Sequence, residues 1–360
     1  GDLLSKERSG PFKAALEIEQ EKIRVSFGNQ TAKALLGLEA ARANATRIDW
    51  QARDIATPPF LGQRYLEEVS LRDLIPYIDW TFFFSTWELK GKYPEILQSE
   101  KYGAAARELF ANGQEMLEYL CNEGTLKARG VYGFWPASGE GDDIVVYTGE
   151  DRSETLCRFP MLRQQQIHPD ERPNRSLADY VAPLETGLLD SIGTFAVTAG
   201  IGAQEIASRF EKAHDDYNSI MVKALADRLA EAFAEYLHQR VRREWGLEQV
   251  GALTYEDLLA ERFRGIRPAF GYPACPDHTP KRTLFSLMDA QAMGITLTES
   301  LAMEPAASVS GIFLAHPASR YFGVGRIGKD QVEDYSKRTA MDLAEVERWL
   351  APYLAYTPKD

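Results

Sequence analysis

Cysteine is scarce in this sequence. There are three, Cys121, Cys157 and Cys275, and no CxxC pair. A sparse, odd set excludes a disulfide framework and a thiolate zinc cluster, and it fits a reducing cytoplasm. No apolar run approaches the roughly 18–20 residues that span a bilayer. The opening GDLLSKERSGPFKAAL lacks the apolar core of a signal peptide. Positive charge is in deficit, with 41 Lys and Arg against 53 Asp and Glu and a net charge of -12. That argues against a nucleic-acid role, which needs a basic footprint for phosphates. A Gly-rich phosphate loop and a nucleophile elbow are both missing. The first residue is Gly1 rather than Met, which reads as a fragment of a longer chain.

What is present suffices for a substantial core, since 44% of the residues are hydrophobic. The length permits one large α+β domain or two to three smaller ones. Residues 11–42 are charged and helix-prone, with no wide apolar stripe, and read as an extension. A soft boundary falls between residues 45 and 62, where ATPPFLG is a turn signal. Residues 74–94 form a dense aromatic segment, of the kind that builds cores, with Asp79 set inside it. Residues 100–123 read as an amphipathic helix stopped at Gly124. Strands are expected in 130–148 around a Gly/Ser loop, and in 155–162, 193–200, 295–300, 307–316 and 320–327. Met221, Leu225, Leu229, Phe233 and Leu237 recur every four residues inside a long helical run over 203–245, which HDDYNS (214–219) can break in two. Shorter helices are expected at 256–264, 282–294, 330–338 and 343–354. Strands joined without regular helical alternation favour a mainly antiparallel sheet flanked by helices.

The most unusual segment is RPAFGYPACPDH, Arg267 to His278. Prolines stiffen it, so little entropy remains to be lost on binding. Gly271 permits close backbone approach. Arg267 offers a planar fork for a carboxylate, and Tyr272 an aromatic face with a polar tip. An ordinary surface connector has the same composition. Asp79 fits a helix cap equally well. Glu231, Glu235 and Asp227 fit the solvated face of the long helix. Glu211-x-x-His214 and Glu235-x-x-His238 have di-iron spacing, but on one unbroken helix they stand about 36 Å apart, and two further glutamates from other helices would still be needed. No metal site is expected.

GIRPAFGYPACPDHT resembles the signature of the reactivation domain of cobalamin-dependent methionine synthase. Further blocks are similar to that family in the same order: YIDWTFFFSTWELKGKYP, RGVYGFWPASGEGDDIVVY, LRQQ, DYVAP, HDDYNSIMVKALADRLAEAFAEYLH, LTESLAM, ASVSGIFLAHP and KDQVEDYSKR. They cover about residues 46–360. The resemblance implies a C-shaped single α+β domain over 46–360, built on a twisted antiparallel sheet. Residues 1–45 resemble the helical tail of a preceding cobalamin-binding domain.

The family binds S-adenosylmethionine, and its motif positions carry over one at a time. Arg267 matches the arginine that holds the ligand's carboxylate. Gly271, Tyr272 and Ala274 match the segment along the ligand. Asp79 matches the carboxylate at the ammonium end, and Tyr321 a tyrosine beside the ligand. Phe322 stands where some relatives have tyrosine. Glu231 and Glu261 match acidic positions nearby. Aromatic faces suit both adenine and a sulfonium cation. The implied role is reductive methylation of inactive cob(II)alamin to methylcobalamin, with the corrinoid held by a cobalamin-binding domain of the same polypeptide. A flavodoxin-type protein donates the electron. The chain has no corrinoid-binding DxHxxG pattern, so it is not expected to run the whole cycle alone. An acidic donor needs a basic patch, for which Arg240, Arg242, Arg243, Arg262, Arg264 and Lys281 are candidates. The alternative is a stand-alone, non-catalytic S-adenosylmethionine-binding or docking module, or a reactivator of another corrinoid protein. The expected location is the cytoplasm, with no membrane and no nucleic acid involved.

Overall fold

The computed structural model describes residues 9–31, 34–249, 251, 257 and 262–358. The chain divides into two compact units. The larger comprises residues 48–161 and 177–321, and the smaller comprises 1–47, 162–176 and 322–360.

The larger unit is built on an antiparallel sheet. Its strands are β1 (Gly62–Val69), β2 (Lys127–Glu140), β3 (Asp143–Tyr147), β4 (Thr155–Pro160) and β5 (Ser191–Ile201), with β8 (Ser308–Phe313) at one edge. The order is β4-β3-β2-β5-β8, and β1 also pairs with β2. Strand β2 serves two partners in succession. Its first half, Ala128 to Phe134, pairs with β1, and its end, Ala137 to Glu140, pairs with β3. Pro136, which has no N–H to donate, falls at the changeover. Gly133 lies where β1 comes closest, since a Cβ there meets the Gly62 carbonyl at 2.6 Å. The expected Gly/Ser loop is shorter than its composition suggests, because Ala137, Ser138 and Gly139 all stay in β2.

Helices cover the sheet. The expected amphipathic helix is α5 (Gly103–Glu123), closed by Gly124 in the left-handed conformation at φ 76°. The long helical run is two helices, α6 (Ala203–Lys212) and α7 (Asp216–Glu244). His214 takes φ 58° at the break, and the Asp215 carboxylate caps α7 by accepting from Asn218 N at 3.0 Å. Met221, Leu225, Leu229, Phe233 and Leu237 are fully buried against the sheet. Each such side chain contributes about 1.5–3 kcal/mol. The aromatic segment folds into α3 (Leu71–Leu74) and α4 (Trp80–Thr86), both packed on α7. Trp80 meets Phe83 and Phe110 edge-on at 5.2 and 4.7 Å between ring centres. Helix α8 (Pro280–Met288) and a ribbon of β6 (Thr296–Leu297) and β7 (Met303–Glu304) complete this unit.

The smaller unit holds α1 (Ser9–Thr31), α2 (Leu38–Ala43), α9 (Lys329–Thr339) and α10 (Leu343–Trp349). Its apolar cluster is Leu162, Val324, Ile327, Val332, Tyr335, Val346, Leu350 and Leu354, with Phe322 packed on it. Gln331, fully buried, ties its segments together. The side-chain amide accepts from Arg163 N at 2.7 Å and donates to Arg163 O at 2.9 Å.

Some expectations need correcting. Residues 62–69 form β1 although no strand is expected there, because Glu67 and Glu68 disguise the alternation of an exposed strand. Residues 320–327 form no strand. Gly325 turns the chain at φ 72°, the Gly323 carbonyl accepts from Gln164 Nε2 at 2.7 Å, and only Ile327 makes a bridge, with Leu354. Residues 295–300 keep only two in β6. The expected helix at 256–264 lies largely outside the described residues.

Candidate functional site

Helix α7 organises the site. Its outward face carries Asp227, Arg228, Glu231 and Glu235, at three- and four-residue spacing along one side. The chain from Gly265 to Cys275 runs past this face. It is anchored to the edge of β8 by backbone bonds: Ile266 and Leu314 exchange both N–H groups at 3.0 and 2.9 Å, and Ile312 N donates to Pro268 O at 3.0 Å. Gly311 has no side chain at this crossing, where a Cβ meets Pro268 O at 2.4 Å. Phe270 points inward and stacks on Phe159 at 5.6 Å. The segment then closes a tight turn. Gly271 N donates to Cys275 O at 2.8 Å, and Cys275 N donates to Tyr272 O at 3.0 Å.

This anchoring sets Arg267 against α7. Its guanidinium forms an ion pair with Glu235, and its backbone N–H donates to the Tyr321 hydroxyl at 2.9 Å. Burial works against the charge of Arg267, but Glu235, Tyr321 and Glu231 outweigh it and raise its pKa. Burial also holds the Glu231 carboxyl above its ordinary range, with Arg267 and Arg228 only partly opposing. Tyr272 and Tyr321 are exposed. Burial of its hydroxyl, with Glu231 close by, raises the Tyr272 pKa. Arg267, Glu231, Tyr272 and Tyr321 are therefore one electrostatically connected cluster, with Ala274 buried in the turn beneath it.

Asp79 reaches the same helix by another route. It caps α4, accepting from Thr81 N at 2.8 Å, so the alternative reading of Asp79 as a cap holds. One turn along α4, the exposed ring of Phe82 lies 5.7 Å from the Arg228 guanidinium. Arg228 in turn acts on Glu231 and Tyr272. Asp79 and Arg267 both stand on elements packed against α7. No direct contact joins the two. Phe322 belongs to the smaller unit and packs in its apolar cluster. Glu261 lies outside the described residues.

Gly271 has a packing reason of its own to be glycine. Its φ of 97° needs glycine, and the space a Cβ would fill is taken by the His278 imidazole, 2.1 Å away. The two metal-like pairs are otherwise engaged. Glu211 accepts from Ser219 and Lys223, and Glu235 is paired with Arg267. His238 is buried between Phe313 and Phe263. Burial, with Arg242 and Arg267 near, pushes its pKa well down, so it is neutral. No group of possible metal ligands occurs among the described residues.

The six candidate cations are divided among the interior, ion pairs and backbone carbonyls. Arg242 and Lys281 are buried. Arg240 pairs with Glu244, Arg242 and Arg243 with Glu248, and Arg262 with Asp257. Arg264 donates to the carbonyls of Ala315 and Asp54. Sequence spacing shows where cations are, not where their partners lie. The reading also missed Glu235 as the partner of Arg267. Its place one turn beyond Glu231 on α7 was the available signal.

An α+β domain with an arginine-bearing proline loop laid over an acidic helix face is thus defined by the chain itself. The family described as "Vitamin B12 dependent methionine synthase, activation domain" matches residues 70–340, and the chain belongs to that family. Among solved structures it is similar to the MetH reactivation domain bound to AdoHcy. The two are 50% identical with a TM-score of 0.87, over 90% of this chain and 100% of that one. No helix among the described residues is long and apolar enough to cross a membrane.

Proposed function

We propose that this chain binds S-adenosylmethionine at the Arg267–Cys275 loop and supports reductive methylation of cob(II)alamin to methylcobalamin in methionine synthase. The corrinoid belongs to a cobalamin-binding domain of the same polypeptide, the electron comes from a flavodoxin-type donor, and the setting is the cytoplasm. The carrying observation is the Arg267–Glu235 ion pair, set beside Glu231 and the exposed rings of Tyr272 and Tyr321. The AdoHcy carried by the similar reactivation domain supports the same reading, because AdoHcy is what remains of S-adenosylmethionine after its methyl leaves.

The residues fit the ligand's four chemistries. Arg267 suits the α-carboxylate, because a guanidinium makes charge-assisted, two-pronged bonds. Glu235 keeps that fork oriented before the ligand arrives. Glu231 and Asp79 offer carboxylates for the ammonium. Tyr272 and Tyr321 offer faces for adenine and sulfonium. Gly271 and Ala274 shape the backbone, and Glu261 is retained as an acidic neighbour. When bound, S-adenosylmethionine supplies an already activated methyl group. The protein's own part is binding, orientation and exclusion of water, and no general base is required.

Calorimetric titration with S-adenosylmethionine tests this. Arg267→Ala removes a charge-assisted contact of about 2–3 kcal/mol and should weaken binding roughly 30- to 140-fold. Unchanged affinity removes Arg267 from the site.

A further inference from the structure

The Arg267–Cys275 turn is braced from behind by two residues outside the proposed ligand set. The His278 imidazole lies flat against Gly271: a Cβ there would sit 2.1 Å from Cε1, 2.6 Å from Nδ1 and 2.7 Å from Nε2. Lys281 stands behind the imidazole, with Nζ 3.0 Å from His278 Nδ1 and 3.4 Å from Leu301 O. Lys281 is only 6% exposed, and among the described residues no carboxylate pairs with it. A buried ammonium without a counter-charge is costly, and burial lowers the Lys281 pKa accordingly, which leaves the bonds to His278 and Leu301 as its polar contacts. With Lys281 charged, its N–H bonds Nδ1 only if that nitrogen is an acceptor, which places the imidazole proton on Nε2. Burial, with Lys281 adding to it, lowers the His278 pKa in the same sense.

The brace is itself fixed. The Asp277 carboxylate accepts from Thr279 N at 2.8 Å at the head of α8, and α8 carries Lys281 among residues packed on β2, β4, β5 and β8. The rigid body of the domain thus reaches the turn through Lys281 and His278. We propose that His278, held by Lys281, is a positioning residue that sets the Gly271–Cys275 turn, and with it Tyr272, for ligand binding. This rests on the reading of that turn as the S-adenosylmethionine site.

The test uses the whole chain and four variants: His278→Ala, Lys281→Met, the two combined, and His278→Asn, whose side-chain oxygen keeps an acceptor near Nδ1. S-adenosylmethionine affinity should fall about tenfold in each of the first two, through lost preorganisation. Combining them should add little further loss, and His278→Asn should recover most of the affinity only while Lys281 is present. Without ligand, hydrogen exchange at the Gly271 and Cys275 amides should quicken in the first two variants while that of Val197 in β5 stays slow. Wild-type affinity with unchanged exchange in His278→Ala or Lys281→Met overturns the proposal, as do additive losses. If the unaltered chain binds no S-adenosylmethionine, the site reading fails by itself, and the exchange rates alone then decide whether the brace exists.

Discussion

Glu231 is held above its ordinary carboxylate pKa chiefly by burial, and an ammonium ligand changes that balance. The charged form is the one that attracts the ammonium, so S-adenosylmethionine affinity should rise as pH climbs through the raised pKa and level off above it. Below that range the carboxyl is protonated and its share of binding is lost. Glu231→Gln should flatten this rise and lower the plateau about tenfold, the effect of one charge-assisted bond. Titrations across the acid range check both. At this scale the sequence was most legible where the backbone motif itself dictates the contact. The segment from Arg267 to Cys275 closes as a tight turn, its prolines limiting the backbone and Gly271 supplying the positive φ. What the motif could not show is the partner across the fold: Glu235 comes from α7, thirty-two residues away, and no local pattern joins it to Arg267. The packing of His278 on Gly271 was illegible for the same reason, since it depends on an absent side chain.

At the scale of elements, α7 was legible because its buried positions repeat every four residues, and its break because HDDYNS offers Asp215 as a cap. Strand β1 was not, since its exposed face carries charges that blur a period of two. The case of Asp79 separates two jobs that the sequence left overlapping. As cap of α4 it needs an acceptor oxygen, and as partner of an ammonium it needs charge. Asp79→Asn should therefore leave stability within a few tenths of a kcal/mol, whereas Asp79→Ala should cost about 1 kcal/mol. If Asp79 also meets the ligand, both substitutions should weaken binding. Urea unfolding alongside calorimetry tells the two roles apart: Asp79→Asn with full affinity confines Asp79 to the cap.

Across the whole molecule, the antiparallel sheet with flanking helices followed from the spacing of strands and helices. The composition of the smaller unit did not, because it is assembled from three stretches far apart in the chain, and such pairings leave no periodic trace. Gln331 is its clearest joint. Gln331→Ala removes both of its bonds to the Arg163 backbone and should destabilise that unit by about 1–3 kcal/mol. Chemical denaturation monitored at probes within residues 322–358 reads the loss directly. An unchanged midpoint there contradicts the assignment of Gln331 as the joint.

If the proline loop and the acidic face of α7 together hold S-adenosylmethionine, a bound ligand must touch both. A crystal structure of this chain soaked with S-adenosylhomocysteine measures it most directly. The account predicts the ligand carboxylate on the Arg267 guanidinium, the ammonium turned toward Glu231 or Asp79, and Tyr272 against the ligand. A ligand ordered elsewhere, with Arg267 still paired only to Glu235, contradicts it.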